Sequence, residues 1–321
     1  MVLDMVDLDF GVFLSSERPS YSDILDEALL AEELGFHSVW ISDHTIGMYE
    51  DPGDSRFECW TTISALAANT GTIRLGQLVL CNPFRPPALL AKMAASLDAI
   101  SGGRLELGLG TGWHEGEFRA YGYPFEGPAA RVRRVDEAAQ IIKMMWTEEA
   151  PSFKGRFYEI DGAYCSPKPV QKPHPPLMIA GGGEQLTLRT VARHADVCNF
   201  AAWRGSPEDY AHKLGVLERH CRAVGRDPSE IRKSWACFVT IEEGRSAAEM
   251  SGERHTEASR NRYESPNGDR RAPIAGTPDM CIDQIQRYVD AGVTLFILRF
   301  MGGDFEAEAR LFAEEVVPAF I

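Results

Sequence analysis

Eight short apolar runs, each followed by a segment of helical periodicity, pace this chain from end to end, and that alternation restricts its fold more than any other feature. Strands separated by helices pair in parallel and are covered on both faces, so they read as unbroken hydrophobic stretches. Strands are expected at 9–14, 39–41, 73–81, 105–109, 177–180, 197–200, 234–241 and 294–300. A helix is expected from the capping-box-like Ser20-Tyr21-Ser22-Asp23 to Gly35, others over 59–69, 88–100, 129–146, 207–224 and 305–320, one opened by Gly181-Gly182-Gly183 and reaching Arg193, and one from Thr277-Pro278 to Ala291.

Eight strands alternating with helices over 321 residues, without a composition shift that would mark a linker, favour one closed (β/α)8 TIM barrel spanning 1–321 over a doubly wound sheet. Two stretches break the rhythm and read as insertions: 147–176, with a hairpin arm at 153–160, and the charged 242–271.

The chain carries 33 basic and 47 acidic side chains, a net charge of −14, which argues against nucleic acid or an anionic membrane as a partner. No apolar run approaches bilayer length, and the start lacks the flanks of a secretory signal, so a cytoplasmic location is the expectation. Seven scattered cysteines without a Cys-x-x-Cys pair read as free thiols in a reducing compartment. The eight histidines show no metal-ligand spacing, and no metal site is expected. Neither a Gly-x-Ser-x-Gly elbow nor a Gly-Lys-Ser/Thr phosphate loop occurs, so hydrolase and kinase readings have no motif behind them.

The most informative run is Val39-Trp40-Ile41-Ser42-Asp43-His44, a buried-strand pattern ending abruptly in a hydroxyl, a carboxylate and an imidazole. Catalytic groups collect at the carboxyl ends of barrel strands, so His44 is the natural proton donor or acceptor and Asp43 a group that could orient it. The bland alternative is a helix cap made by Ser42 or Asp43. The other tips are Leu80-Cys81-Asn82, Gly110 to Trp113, Gly181 to Gly183, Asn199 and Arg299. Gly108-x-Gly-x-Gly112 lacks the dinucleotide-binding spacing and leads into Trp113-His114 rather than a clear helix; it reads equally well as a tight turn. Gly181 to Gly183 would offer amides and a helix dipole to a phosphate. Trp60, Trp113 and Trp203 could wall a flat ring, and Arg299 could pair with an anionic group.

Ser42-Asp43-His44, Arg74-Leu75-Gly76 with Asn82-Pro83-Phe84-Arg85, Gly102-Gly103-Arg104 with Leu107-Gly108-Leu109-Gly110-Thr111-Gly112-Trp113, Ile179-Ala180-Gly181-Gly182-Gly183, and Gly276-Thr277-Pro278 with Tyr288-Val289-Asp290-Ala291-Gly292-Val293 together resemble the bacterial luciferase-like family. The resemblance is strongest to its coenzyme F420-dependent oxidoreductases and covers nearly the whole chain. It implies a barrel binding F420, or alternatively flavin mononucleotide (FMN), at its C-terminal mouth, with His44 catalytic at the reactive ring face. It also implies cofactor contacts at Asp43, at a non-proline cis peptide within Leu78-Val79-Leu80, and at Gly110, Thr111 and Gly112, with the phosphate at Gly181 to Gly183. Asn199 joins the cofactor set by its place at a strand tip, and Trp113, Trp203 and Arg299 are candidates for the small-molecule substrate.

One departure matters: some sugar-phosphate dehydrogenases of the family have a glutamate acid where this chain has Trp113, so that chemistry is not carried over, and Glu115 is in a different register. The expected activity is hydride transfer between F420 and a small organic substrate. The alternatives are an FMN-dependent monooxygenase using oxygen and fed by a flavin reductase, and, from another class, a non-catalytic flavin-binding barrel. The resemblance implies a homodimer, and a reductase as a source of reduced cofactor.

Overall fold

The apolar runs pair in parallel and close on themselves. The computed structural model describes residues 8–47, 51, 53–200, 205–244 and 274–321. Its strands are β1 (Asp9–Phe13), β2 (Ser38–Ile41), β3 (Arg74–Gln77), β4 (Leu80–Cys81), β5 (Leu105–Gly110), β6 (Phe153–Lys154), β7 (Glu159–Ile160), β8 (Leu177–Ala180), β9 (Val197–Asn199), β10 (Arg232–Ile241), β11 (Ile274–Gly276) and β12 (Leu295–Phe300). The parallel ring runs β1-β2-β3-β5-β8-β9-β10-β12 and returns to β1, with β9 joined to β10 at Val197 and Arg232. This is the expected barrel of eight strands.

The helices are α1 (Tyr21–Glu33), α2 (Cys59–Asn69), α3 (Pro87–Ile100), α4 (Glu115–Ala120), α5 (Pro128–Thr147), α6 (Thr187–His194), α7 (Pro207–Val224), α8 (Pro278–Asp290) and α9 (Phe305–Glu315). Their starts follow local chemistry. Ser20 and Asp23 form the expected capping box on α1, and Ser206 and Asp209 form another on α7. None of the described helices is long and apolar enough to cross a membrane.

Alternation along the strands sorts side chains to two cores. Val39 and Ile41 face the helices, whereas Trp40 points inward with Phe13, Leu78, Met178 and Ile297. Trp40 is fully buried, and its indole donates to Ser38 Oγ at 2.8 Å. Room for so large a ring comes from two glycines on neighbouring strands: a Cβ on Gly11 would lie 2.8 Å from the indole nitrogen, and one on Gly76 would overlap the ring itself. Trp40 therefore plugs the barrel beneath its C-terminal mouth. The other end is closed by ion pairs, with Arg74 Nε 2.6 Å from Glu106 Oε1 and Arg232 joined to Asp9.

Three expectations need correction, and one strand was not foreseen. The third strand is not continuous over 73–81 but breaks into β3 and β4 around a cis Leu78–Val79 peptide. Gly108 to Gly112 does lead to a helix, since α4 begins immediately after His114, whose ring nitrogen accepts from the Glu117 amide as its cap. α6 opens at Thr187, four residues beyond Gly183, because Gly181 takes φ 133° and the chain needs a further turn before it can coil. β11 lies along β10 at Val239 to Ile241, a strand too short to leave a periodic signal. The hairpin arm forms as expected, as the antiparallel β6–β7 ladder held at its tip by Glu137, which accepts from the amides of Arg156, Phe157 and Tyr158. Most of the 242–271 insertion falls outside the described residues.

Candidate active site at the barrel mouth

β2 delivers Asp43 and His44 to the mouth, as expected, but each is bound by a different neighbour. Asp43 is almost fully buried, and its carboxylate is used inside the protein. Oδ2 accepts from the Cys81 amide at 2.8 Å and Arg85 Nη1 at 2.7 Å, and Oδ1 from Arg85 Nη2 at 3.0 Å. Arg85 also reaches Glu58 at 2.5 Å, and Glu58 caps α2 through the amides of Trp60 and Thr61. Asp43 thus braces the tip of β2 against β4. The cofactor contact which the resemblance implies for Asp43 would come in addition to these bonds.

His44 turns the other way. Its Nδ1 lies 2.7 Å from Oε2 of Glu117, a buried carboxylate on α4. Glu117 Oε1 accepts from the Thr45 amide at 2.6 Å and the Thr45 hydroxyl at 3.3 Å, and the Tyr121 hydroxyl donates to the Thr45 carbonyl at 3.0 Å. Trp113, 65% exposed, sets its ring edge-on to His44 at 5.8 Å and to His114 at 5.3 Å.

Glu117 is not among the residues the sequence singles out; the glutamate it brings to notice is Glu115. In α4, Glu115 is on the outer face and pairs with Arg119 at 2.9 Å, while Glu117, two positions on, turns inward. A clue was available: a helix start with two acidic residues in its first turn directly after a strand-tip glycine turn.

Burial alone would raise the Glu117 carboxyl, but the hydrogen bond and charge of His44, the Thr45 amide and the nearby His114 outweigh it and hold the group below its usual 4.5. A carboxyl lowered in the folded state adds stability that is fully present above its unfolded value and is lost as the pH falls through the folded one. The stability gap between the wild type and Glu117→Gln is therefore expected to be widest near neutrality and to shrink below pH 4.5. Thermal melts at stepped pH check this, and a gap that widened on acidification would contradict it.

The remaining candidates distribute as follows. The cis Leu78–Val79 peptide is present, and Val79 packs against the bare face of Gly110, where a Cβ would lie 2.5 Å from Val79 Cγ2. The missing side chain at Gly110 thus admits a protein neighbour. Gly112, at φ 69°, faces Cys81 and Phe118, and its carbonyl is held by Arg131. Thr111 is half-buried, with its hydroxyl 3.2 Å from the Gly112 carbonyl.

Across the mouth, Gly181 to Gly183 form a turn beside Lys213, which with His212 holds the exposed Glu184 below the usual carboxylate range. Asn199 shares the inward face of Val197. Its Nδ2 donates to Ser234 Oγ at 3.1 Å, and its buried Oδ1 has no hydrogen-bond partner. Arg299 places its guanidinium 5.2 Å from the Phe13 ring and 6.0 Å from that of Phe238. Trp60 lies on α2, packed against the outer core. Trp203 lies outside the described residues. Among the described residues no group of His, Cys, Asp and Glu could hold a metal ion, and all seven cysteines are buried and free.

The model of the family described as luciferase-like monooxygenase matches residues 8–295. The chain belongs to that family. Its luciferase-like relatives include the F420-dependent glucose-6-phosphate dehydrogenase of Microbacterium testaceum, 30% identical over 98% of this chain and 97% of its own. They also include the FMNH2-dependent dimethylsulfone monooxygenase of Pseudomonas putida, 27% identical over 91% of this chain and 85% of its own. Among solved structures, an F420-dependent secondary alcohol dehydrogenase in complex with an F420–acetone adduct superposes with a TM-score of 0.84, covering 98% of this luciferase-like chain and 99% of that one at 22% identity. That likeness is one of fold.

Proposed function

We propose that this protein is a coenzyme F420-dependent oxidoreductase acting on a small organic substrate, with His44 exchanging the proton that accompanies hydride transfer. The observation that carries the reading is His44 itself: an imidazole at a strand tip, tethered through Nδ1 to a buried carboxylate, with Nε2 as its remaining polar atom. The Microbacterium relative, named as F420-dependent and aligned over nearly the full length, supports the choice of cofactor.

The residues present fit such a group. Val79, half-buried after the cis Leu78–Val79 peptide, offers apolar surface to a flat ring, and the unpaired buried Oδ1 of Asn199 is an acceptor awaiting a donor. Lys213 beside Gly181 to Gly183, with the uncapped start of α6, supplies donors and positive charge for a phosphate. When bound, the deazaflavin supplies the hydride-accepting or hydride-donating carbon. Trp113 would present an apolar edge to the substrate, and Arg299 would meet an anionic group of substrate or cofactor. Glucose 6-phosphate is not carried over from the relative, because Trp113 stands where the resemblance would require an acid.

The Pseudomonas relative favours one other reading, an FMN-dependent monooxygenase supplied by a separate reductase. A side-by-side titration of the purified protein with F420 and FMN, followed by tryptophan fluorescence, separates the two. Micromolar binding of F420 with weak binding of FMN is expected. Preference for FMN would move the assignment to the monooxygenase, and binding of neither would overturn both. We further place the protein in the cytoplasm, drawing reduced cofactor from a reductase, and as a homodimer, for which light scattering of the eluted protein is the direct check.

A further inference from the structure

Two imidazoles approach the Glu117 carboxylate, and their hydrogen bonds differ in kind. His114 Nδ1 is 3.3 Å from the Glu117 amide, which can only donate, so that nitrogen carries a lone pair. It stands 3.7 Å from Glu117 Oε2, too far for a hydrogen bond and with no proton to give. His44 Nδ1 is 2.7 Å from the same oxygen. The other oxygen, Oε1, is occupied by two donors from Thr45. An ionised carboxylate only accepts, so the proton of the short bond belongs to His44 Nδ1.

We propose that Glu117 is a positioning residue for proton transfer: it fixes His44 in the Nδ1–H tautomer and presents a bare Nε2 to the substrate. The proposal rests on the reading of His44 as the proton-exchanging group. A bare Nε2 takes a proton from a substrate hydroxyl, and the imidazolium so formed lies against the Glu117 carboxylate, which offsets its charge. The same bond fixes the plane of the ring, since Glu117 is itself anchored through the Thr45 amide and the first turn of α4. Without that anchor the ring could turn about its side-chain bonds, and either nitrogen could carry the proton. Glu117 touches neither substrate nor cofactor in this scheme; it acts through His44.

Nitrogen NMR of the histidine-labelled protein without cofactor, above the titration range of free imidazole, tests the tautomer directly. His44→Gln identifies the His44 signals, and His37, which faces Asp9 and Glu106 at the opposite end of the barrel, serves as a control for an intact fold. The expected result is a protonated-type signal on Nδ1 and an unprotonated-type signal on Nε2 in the wild type, replaced by a tautomer mixture in Glu117→Gln with His37 unchanged. A wild-type His44 protonated on Nε2 would overturn the proposal, even if no variant folded. So would a Glu117→Gln protein that kept the Nδ1–H form.

In turnover, Glu117→Gln should lower kcat about 10- to 100-fold with little change in KM, and Glu117→Asp should recover part of the loss. A purely structural role would instead lower the amount of active protein and leave kcat per folded molecule unchanged. The spectroscopic readout needs no cofactor, so failure of the F420 assignment and failure of the tautomer lock are separately visible.

Discussion

A His44→Ala protein is expected to lose about 10²- to 10⁴-fold in turnover with F420 while keeping its fold and its affinity for the cofactor. The kinetic loss follows from removing an imidazole whose Nε2 edge is left over at the mouth after its Nδ1 has been tied to the Glu117 carboxylate. The fold should survive because the neighbouring contacts do not pass through that ring. Glu117 Oε1 keeps both donors from Thr45, the Tyr121 hydroxyl keeps the Thr45 carbonyl, and Asp43 keeps Arg85 and the Cys81 amide. Steady-state kinetics alongside a thermal melt make the comparison, and undiminished turnover in the variant would remove His44 from the mechanism.

The largest stability effect is expected at the plug beneath the mouth. Trp40→Ala should cost about 3–5 kcal/mol, because the ring is wholly buried and the rigid barrel around it has little freedom to collapse into the space. The complementary change, Gly76→Val, adds atoms where the indole already sits and should destabilise by about 1–3 kcal/mol or more. The two effects share one space, so they should not add: Gly76→Val placed on a Trp40→Ala background should be much less harmful than on the wild type. Urea titrations of the four proteins measure this cycle. Strict additivity would mean that Trp40 and Gly76 do not compete for the same volume.

The contrast between what was legible in the sequence and what was not follows the range of the interactions. α2 at Cys59–Asn69, α7 at Pro207–Val224 and β8 at Leu177–Ala180 have the boundaries that periodicity and caps predict, because short-range signals set them. His44 was legible because a polar triplet at the end of a buried strand contradicts its own surroundings. Glu117 was not, because its partner lies 73 residues away and nothing in the six-residue α4 marks which of its two glutamates turns inward. The use of Asp43 was hidden for a similar reason, since Arg85 is 42 residues distant. The contact of Val79 with Gly110 was hidden too, because Val79 reaches it only through the break between β3 and β4.

The turn carrying Trp113 is pinned on both sides, by Arg131 on the Gly112 carbonyl and by the His114 ring capping α4. Position 113 is therefore a display post: its side chain can be exchanged over a wide range of sizes and polarities while the backbone that presents it stays in place. If the proposed substrate contact at Trp113 holds, randomising that one codon is the natural first library for changing what the mouth accepts, with the ring contact to His44 as the feature each variant must replace.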